Sequence, residues 1–206
     1  MSHIARTTVL LFCLLLMVSQ TGCQSKTSVG TMRLADYSNL YAQNPTALVY
    51  MQSEVGNYNA FLIEPANVRM DTHVNVRETK LKQLASQLQA TVYDDMKKAG
   101  YSLVTRSQPG VVRIRIILAQ INANSSVYTQ TDDLITQGLK PGQAVVEAEI
   151  LSLDGQQQLG ALVIADEKMP VSVKDLTDEK TAAKVFASWA KQLRLRIDQM
   201  HGRSTM

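Results

Sequence analysis

The chain has 206 residues, 45% of them hydrophobic and 5% aromatic, with 21 Lys and Arg against 18 Asp and Glu and a formal charge of +3. Apolar content at that level excludes a disordered chain, which lacks the residues to build a core. The near balance of charge excludes the one-sided basic footprint of a nucleic-acid binder. A chain of this length suits one folded domain.

The N-terminus stands apart from that domain. Arg6 precedes an apolar run from Val9 to Val18, and Thr21-Gly22-Cys23 follows. A membrane-spanning helix needs about 20 apolar residues, and Ser19, Gln20 and Thr21 end this run too soon. A basic start, a short apolar centre and small residues before a cysteine identify residues 1–22 as an export signal. Thr21 and Gly22 resemble the lipobox of bacterial lipoproteins, with Cys23 as the lipid-attachment residue; Gln20 departs from that pattern, which usually has an aliphatic residue there. Gln24 follows the cysteine, and the sorting pattern this resembles sends a chain without Asp at that place to the outer membrane.

Removal of residues 1–22 takes Arg6 away and leaves 20 basic against 18 acidic residues. Cys13 leaves with the signal, so Cys23 would be the one mature cysteine and no intrachain disulfide can form. Thioether attachment would remove a free thiol from an oxidising compartment, and each acyl chain would anchor through about 0.8 kcal/mol per buried CH₂. Residues 23–33 are the lipidated tether; within them Gln24 to about Met32 is polar, small and aperiodic, with a root-mean-square span of about 17 Å over about nine residues.

Residues 34–202 are expected to form a single periplasmic α+β domain. Ala47–Met51, after Pro45, is predicted as an edge strand, and Tyr58–Glu64 as a strand closed by Pro65. Leu81, Leu84, Leu88, Val92, Met96 and Ala99 then recur at helical spacing. Asn75 and Glu78 resemble a capping box at the start of this helix, and Gly100 is its expected terminator. A short strand at Tyr101–Thr105 and a turn at Gln108-Pro109-Gly110 lead to a long strand, Val111–Ile121. In that strand Val112, Ile114, Ile116 and Leu118 share one face, Arg113 and Arg115 the other.

Ala144–Leu153 and Gln156–Ala165 are predicted as a hairpin about Asp154-Gly155. A two-residue turn there pairs Ile150 with Leu159, Ala148 with Ala161 and Val146 with Val163 on one buried face. Glu147 and Glu149 lie on the opposite face, where Arg113 and Arg115 of a neighbouring strand could meet them at about 0.2–1 kcal/mol per pair. The closing helix is expected to start at Thr177 as N-cap and to bury Val185, Phe186, Trp189, Ala190, Leu193, Ile197 and Met200. Two helices with one apolar stripe each and a sheet with one apolar face predict a two-layer sandwich: a mainly antiparallel sheet with both long helices packed on one face.

The order of these landmarks resembles a family of uncharacterised bacterial lipoproteins with a domain of unknown function. The resemblance is carried by Leu34-Ala35-Asp36-Tyr37-Ser38-Asn39-Leu40, Leu48-Val49-Tyr50, Phe61-Leu62-Ile63-Glu64-Pro65, the helix end at Gly100-Tyr101, Glu147 through Gly155, and Trp189-Ala190-Lys191-Gln192-Leu193. It covers nearly the whole mature chain and implies location and fold, without catalytic residues. More loosely, the layout is similar to small periplasmic α/β domains of lipoproteins that regulate envelope machines.

No compact chemical motif stands out. His73 is the one histidine inside the expected domain ahead of its C-terminus and has no cysteine partners for a zinc site. Neither a Gly-x-Ser-x-Gly nor a glycine-rich phosphate loop occurs. Asp94-Asp95 and Asp132-Asp133 are adjacent residues, which diverge on a helix instead of sharing a substrate. Tyr37, Tyr41, Tyr50 and Tyr58 are expected to cover the sheet edge near the tether rather than to line a groove. The candidate partner surface comprises Tyr128, in the long connection 125–142, and Lys184, Lys191 and Arg194, which with Lys180 lie on one side of the closing helix.

These features predict a lipid-anchored protein on the periplasmic face of the outer membrane, a non-enzymatic binding or accessory subunit of an envelope assembly. Its expected partners are the membrane, through N-terminal acyl chains, and an envelope protein; no cofactor, metal or nucleic acid is expected. The alternatives are an envelope-polymer hydrolase with dispersed carboxylates and a carrier of lipid or small ligand.

Overall fold

The computed structural model describes residues 34–69, 75–121, 140, 142–166 and 171–203. Eight strands form one mixed sheet: β1 (Tyr41–Asn44), β2 (Ala47–Met51), β3 (Ala60–Ile63), β4 (Asn67–Arg69), β5 (Ser102–Leu103), β6 (Val111–Gln120), β7 (Ala144–Leu151) and β8 (Gln158–Ala165). Their order is β1-β2-β8-β7-β6-β3-β5, with β4 also paired to β6. The β1 to β6 side is antiparallel; β3 runs parallel to β6 and β5, and β4 parallel to β6. The architecture is α+β, with helices α1 (Glu78–Lys98) and α2 (Glu179–Met200) on one face.

Each helix forms because its apolar residues fall on one stripe. Leu84, Ala85, Leu88, Val92 and Met96 of α1 are buried, as are Ala182, Val185, Phe186, Trp189, Ala190, Leu193 and Ile197 of α2. They pack on Val112, Ile114, Ile116 and Leu118 of β6 and Val146, Ala148 and Ile150 of β7. The end of α1 is a Schellman closure: Tyr101 N–H donates to the Met96 carbonyl (3.2 Å) and Gly100 N–H to that of Lys97 (3.0 Å), with Gly100 at φ +83°.

Both helix starts differ from expectation. Arg77 is the N-cap of α1 and makes no side-chain cap, so the Asn75–Glu78 capping box does not form. Glu78 instead pairs with Lys82 at 2.7 Å, one turn on. For α2 the cap is Asp178, not Thr177, because Asp178 Oδ1 reaches the Thr181 N–H at 2.9 Å while Thr177 ends a 3-10 turn. Ala47–Met51 is not an edge strand either: β1, a polar four-residue strand, lies outside it.

The hairpin register is shifted by one residue from the expected one. Ile150 lies opposite Gly160, Ala148 opposite Leu162 and Val146 opposite Ile164; Leu151 then pairs with Gln158, leaving Leu159 as a bulge. A two-residue primed turn would need positive φ at both Asp154 and Gly155. Only Gly155 has it, at +73°. Asp154 instead accepts from Gln156 N–H (3.0 Å) and Ser152 Oγ (2.5 Å), and Ser152 N–H closes a longer loop onto Gln157 O (2.9 Å).

Ala161 and Val163 consequently turn away from the helices, and Leu162 and Ile164 replace them; the bulge keeps Leu159 on the helix side. The shift is tolerated because the sheet has a second buried face. There Ile117, Ala119, Ile121, Val145, Ala161, Val163 and Ala165 pack with Leu34, Leu40 and Leu48, and with Tyr37, Ala42 and Tyr50. Leu34–Leu40 crosses this far face as a strap. Among the described residues no helix is long and apolar enough to cross a membrane.

Candidate functional site

The far face carries the densest polar chemistry. Glu149 is fully buried and sits opposite Arg115 in the β6–β7 ladder, its Oε2 accepting from Arg115 Nη1 at 3.0 Å. Arg115 Nε also reaches Glu64 Oε2 at 3.3 Å. Glu64, at the end of β3, accepts from Arg113 Nε at 2.6 Å and pairs with its Nη2. The expected meeting of Arg115 with Glu149 therefore occurs, while Arg113 turns to Glu64 across the parallel neighbour.

Glu149 Oε1 takes the Ala35 N–H and, at 2.8 Å, the Gln158 amide. Glu147, also fully buried, accepts from the Tyr37 hydroxyl at 2.8 Å. Both carboxylates thus receive donors from the strap, and Gln158 Nε2 adds a bond to the Asp36 carbonyl at 3.1 Å. A buried carboxylate is tolerable only with such partners.

A second polar cluster closes the end of the helix layer. Arg194 Nε donates to Asp95 on α1 at 2.8 Å, and Arg194 Nη1 pairs with Asp198. Asp198, itself buried, accepts from Tyr101 Oη at 2.6 Å. Burial first, and the bond to Asp198 second, push ionisation of the Tyr101 phenol well above its ordinary value. For Arg194, burial opposes the charge, but the two carboxylates outweigh it and hold the guanidinium protonated. These bonds join the C-terminal ends of α1 and α2, so the helices run side by side in the same direction. The His201 ring nitrogens lie 2.8 and 2.7 Å from the Ile197 and Tyr58 carbonyl oxygens, at the same end.

Two open grooves stand out among the described residues. One, about 660 Å³, is lined by Leu62, Glu64, Gln89, Tyr93, Val104 and Arg113 among others, and its charged pair is the Glu64–Arg113 bridge. The other, about 460 Å³, lies between the first turn of α1 and the loop before α2, with Arg77, Lys80 and Lys174 on its walls. No group of three or more His, Cys, Asp or Glu side chains able to hold a metal occurs among the described residues.

Cys23, Tyr128, His73 and Asp132-Asp133 lie outside the described residues, as do the tether and nearly all of the 125–142 connection. Lys180, Lys184 and Lys191 are exposed on α2, whereas Arg194 is engaged between the helices. Asp94 faces solvent and Asp95 faces α2. The four tyrosines do not share a groove: Tyr37 and Tyr50 pack on the far face, Tyr58 packs on the helix side, and Tyr41 is exposed. Sequence reasoning missed Tyr37, Glu64, Gln158 and Asp198 as members of polar clusters. Tyr37 and Glu64 stand in the segments that carry the family resemblance; Gln158 and Asp198 give no such signal.

Fold and site together define a small α+β domain whose sheet is covered by two parallel helices on one side and by its own N-terminal strap on the other. The chain belongs to the DUF3313 family of proteins of unknown function, which it matches over residues 31–193. No curated protein matches it. Among solved structures it is similar to a DUF4136 family protein from Bacteroides thetaiotaomicron (10% identity, TM-score 0.44, covering 76% of this chain and 96% of that one). It is also similar to the PelC dodecamer from Paraburkholderia phytofirmans (8%, 0.37, 78% and 99%). A third is a minor lipoprotein from Acinetobacter baumannii (10%, 0.31, 69% and 92%).

Proposed function

We propose that the protein is a lipoprotein anchored through Cys23 to the periplasmic face of the outer membrane, where it acts as a non-enzymatic binding or accessory subunit of an envelope assembly. The export signal ending in Thr21-Gly22-Cys23 supports the anchor. The observation that carries the accessory reading is the use to which the domain puts its carboxylates. Glu64, Glu149, Asp95 and Asp198 neutralise arginines, and Glu147 takes the Tyr37 hydroxyl. A hydrolase would need carboxylates free to face a substrate.

Mass spectrometry of the mature N-terminus tests the anchor: a peptide beginning at acylated Cys23 is expected, and membrane association that survives Cys23→Ala overturns it. The accessory role is tested by alanine replacement of exposed Asp and Glu positions, scored by complementation of a deletion strain. An interface distributed over many residues loses little at any one polar position. A single exposed carboxylate whose loss abolishes function in a folded, correctly located protein would establish the hydrolase instead.

A further inference from the structure

The strap differs from every element it touches. Leu34–Leu40 belongs to no strand. It is held by the Leu34 and Leu40 side chains in the far-face cluster, by Tyr37 over Glu147, and by the bonds from Ala35 N–H to Glu149 and from Gln158 to the Asp36 carbonyl. Ala35, Asp36, Ser38 and Asn39 are exposed. Beneath it, β7 is paired along its length on both sides and buried at every residue. A segment outside every strand, held by a few side-chain contacts and hydrogen bonds and exposed at four of its seven residues, lies at the low end of local stability, and a central strand opens only with the whole domain.

We propose that Leu34–Leu40 is a releasable strap: it lifts as a unit while the domain stays folded, and lifting both lengthens the link to the N-terminal anchor and bares the Glu147–Glu149 face of the sheet. The strap follows directly on residues 23–33, so any pull on the anchor acts first on Leu34 and Ala35. Release adds seven residues to the link, about 24 Å of chain when extended. It also exposes two carboxylates that point the same way from β7, among the small apolar side chains Ala119, Val145 and Val163. Residues with few and separable anchors, hydrogen-bonded to the sheet through Glu147, Glu149 and Gln158, provide the two discrete arrangements that a switch requires. The link to membrane reach rests on the lipid-anchor reading; the opening of the strap does not.

Hydrogen–deuterium exchange of the full mature chain, read by mass spectrometry, tests this. The reporters are the Ala35, Ser38 and Leu40 amides, which are bonded to Glu149, Asp36 and the Tyr37 carbonyl respectively. They are expected to exchange at least about 100-fold faster than the amides of β7. Tyr37→Phe, which removes the hydroxyl's bond to Glu147 and the acceptor of the Leu34 N–H, should speed strap exchange at least about tenfold and leave β7 unchanged. Leu34→Ala should act in the same direction through an apolar contact. Strap and β7 amides exchanging at one rate in the parent chain, or accelerating together in both variants, would overturn the proposal. The Cys23 peptide is read in the same samples. An unacylated chain whose strap opens refutes the anchor and keeps the strap; an acylated chain whose strap exchanges with the core does the reverse.

Discussion

The two faces of the sheet are built from alternate residues of the same strands and closed by different forces. On the helix side, β6 and β7 present Ile114, Ile116, Ala148 and Ile150 to Trp189, Phe186, Leu84 and Leu88, all buried in one apolar cluster. Large side chains buried there contribute about 1.5–3 kcal/mol each. On the far side the same strands present Arg113, Arg115, Glu147 and Glu149 beside small residues. The strap bonds to Glu147 and Glu149 while Glu64 pairs with both arginines, and hydrogen bonds to charged groups contribute about 1.5–3 kcal/mol each only while both partners remain in place. The helix side is stabilised chiefly by area, with the Tyr101–Asp198–Arg194 cluster confined to one end of it. The far side depends on individual bonds, which makes it the face able to change state.

That contrast can be broken at its strongest point by Trp189→Ala. Trp189 is 1% exposed, and its ring centroid lies 5.8 Å from that of Phe186. Its truncation should cost about 3–5 kcal/mol in urea denaturation; a loss below about 1 kcal/mol would show that the helix side does not depend on packing.

Glu149→Ala probes the far side and should cost less, about 2–3 kcal/mol, since the strap can lift while the helix side stays packed. It strands Arg115 Nη1, the Gln158 amide and the Ala35 N–H together. Glu149→Gln should recover part of that loss by restoring an acceptor. Equal loss in the two variants, measured by the same denaturation, would assign the effect to charge alone.

The smallest effect is expected at Tyr101→Phe, which keeps the ring and removes only its bond to Asp198: about 1.5 kcal/mol at neutral pH. This position also sharpens the comparison through pH. The folded state holds the Tyr101 proton to higher pH than the unfolded chain does, so between the two ionisations the native state binds more protons and stability falls as pH rises. The contribution is fully present below the ordinary tyrosine value of about 10 and is lost as pH climbs through the raised one. Alkaline denaturation of the parent chain should therefore show a downward limb that Tyr101→Phe flattens. An identical limb in both proteins would place the responsible group elsewhere.

How far these features could be read from the chain depended on whether a local pattern had one meaning. The stripe Leu84, Leu88, Val92, Met96 admits only a helix, and the alternation from Val112 to Leu118 only a half-apolar strand. Both stand, with Arg115 meeting Glu149 as that alternation requires. Leu159-Gly160-Ala161-Leu162-Val163-Ile164-Ala165 is apolar at nearly every position, so either face could be buried and the register was open. Strands β1 and β4, four and three residues long and largely polar, offered no period to detect.

The polar clusters were less legible still. Tyr37 and Glu147 are 110 positions apart, and Arg194 and Asp95 are 99. Nothing local marks such a pair, and Lys191 and Arg194 look equivalent until α1 is in place to take only the second.

By itself, then, the sequence determined the two helices, the strands of the central sheet and the layer they form, because hydrophobic periodicity and helix-terminating residues act within a few positions of one another. Only the tertiary structure decided the hairpin register, the second buried face, the strap across it and the partners of Glu147, Glu149 and Asp198. Those are settled by which distant surfaces come into contact, and a sheet whose strands are apolar on both sides leaves that choice to the energy of the whole fold.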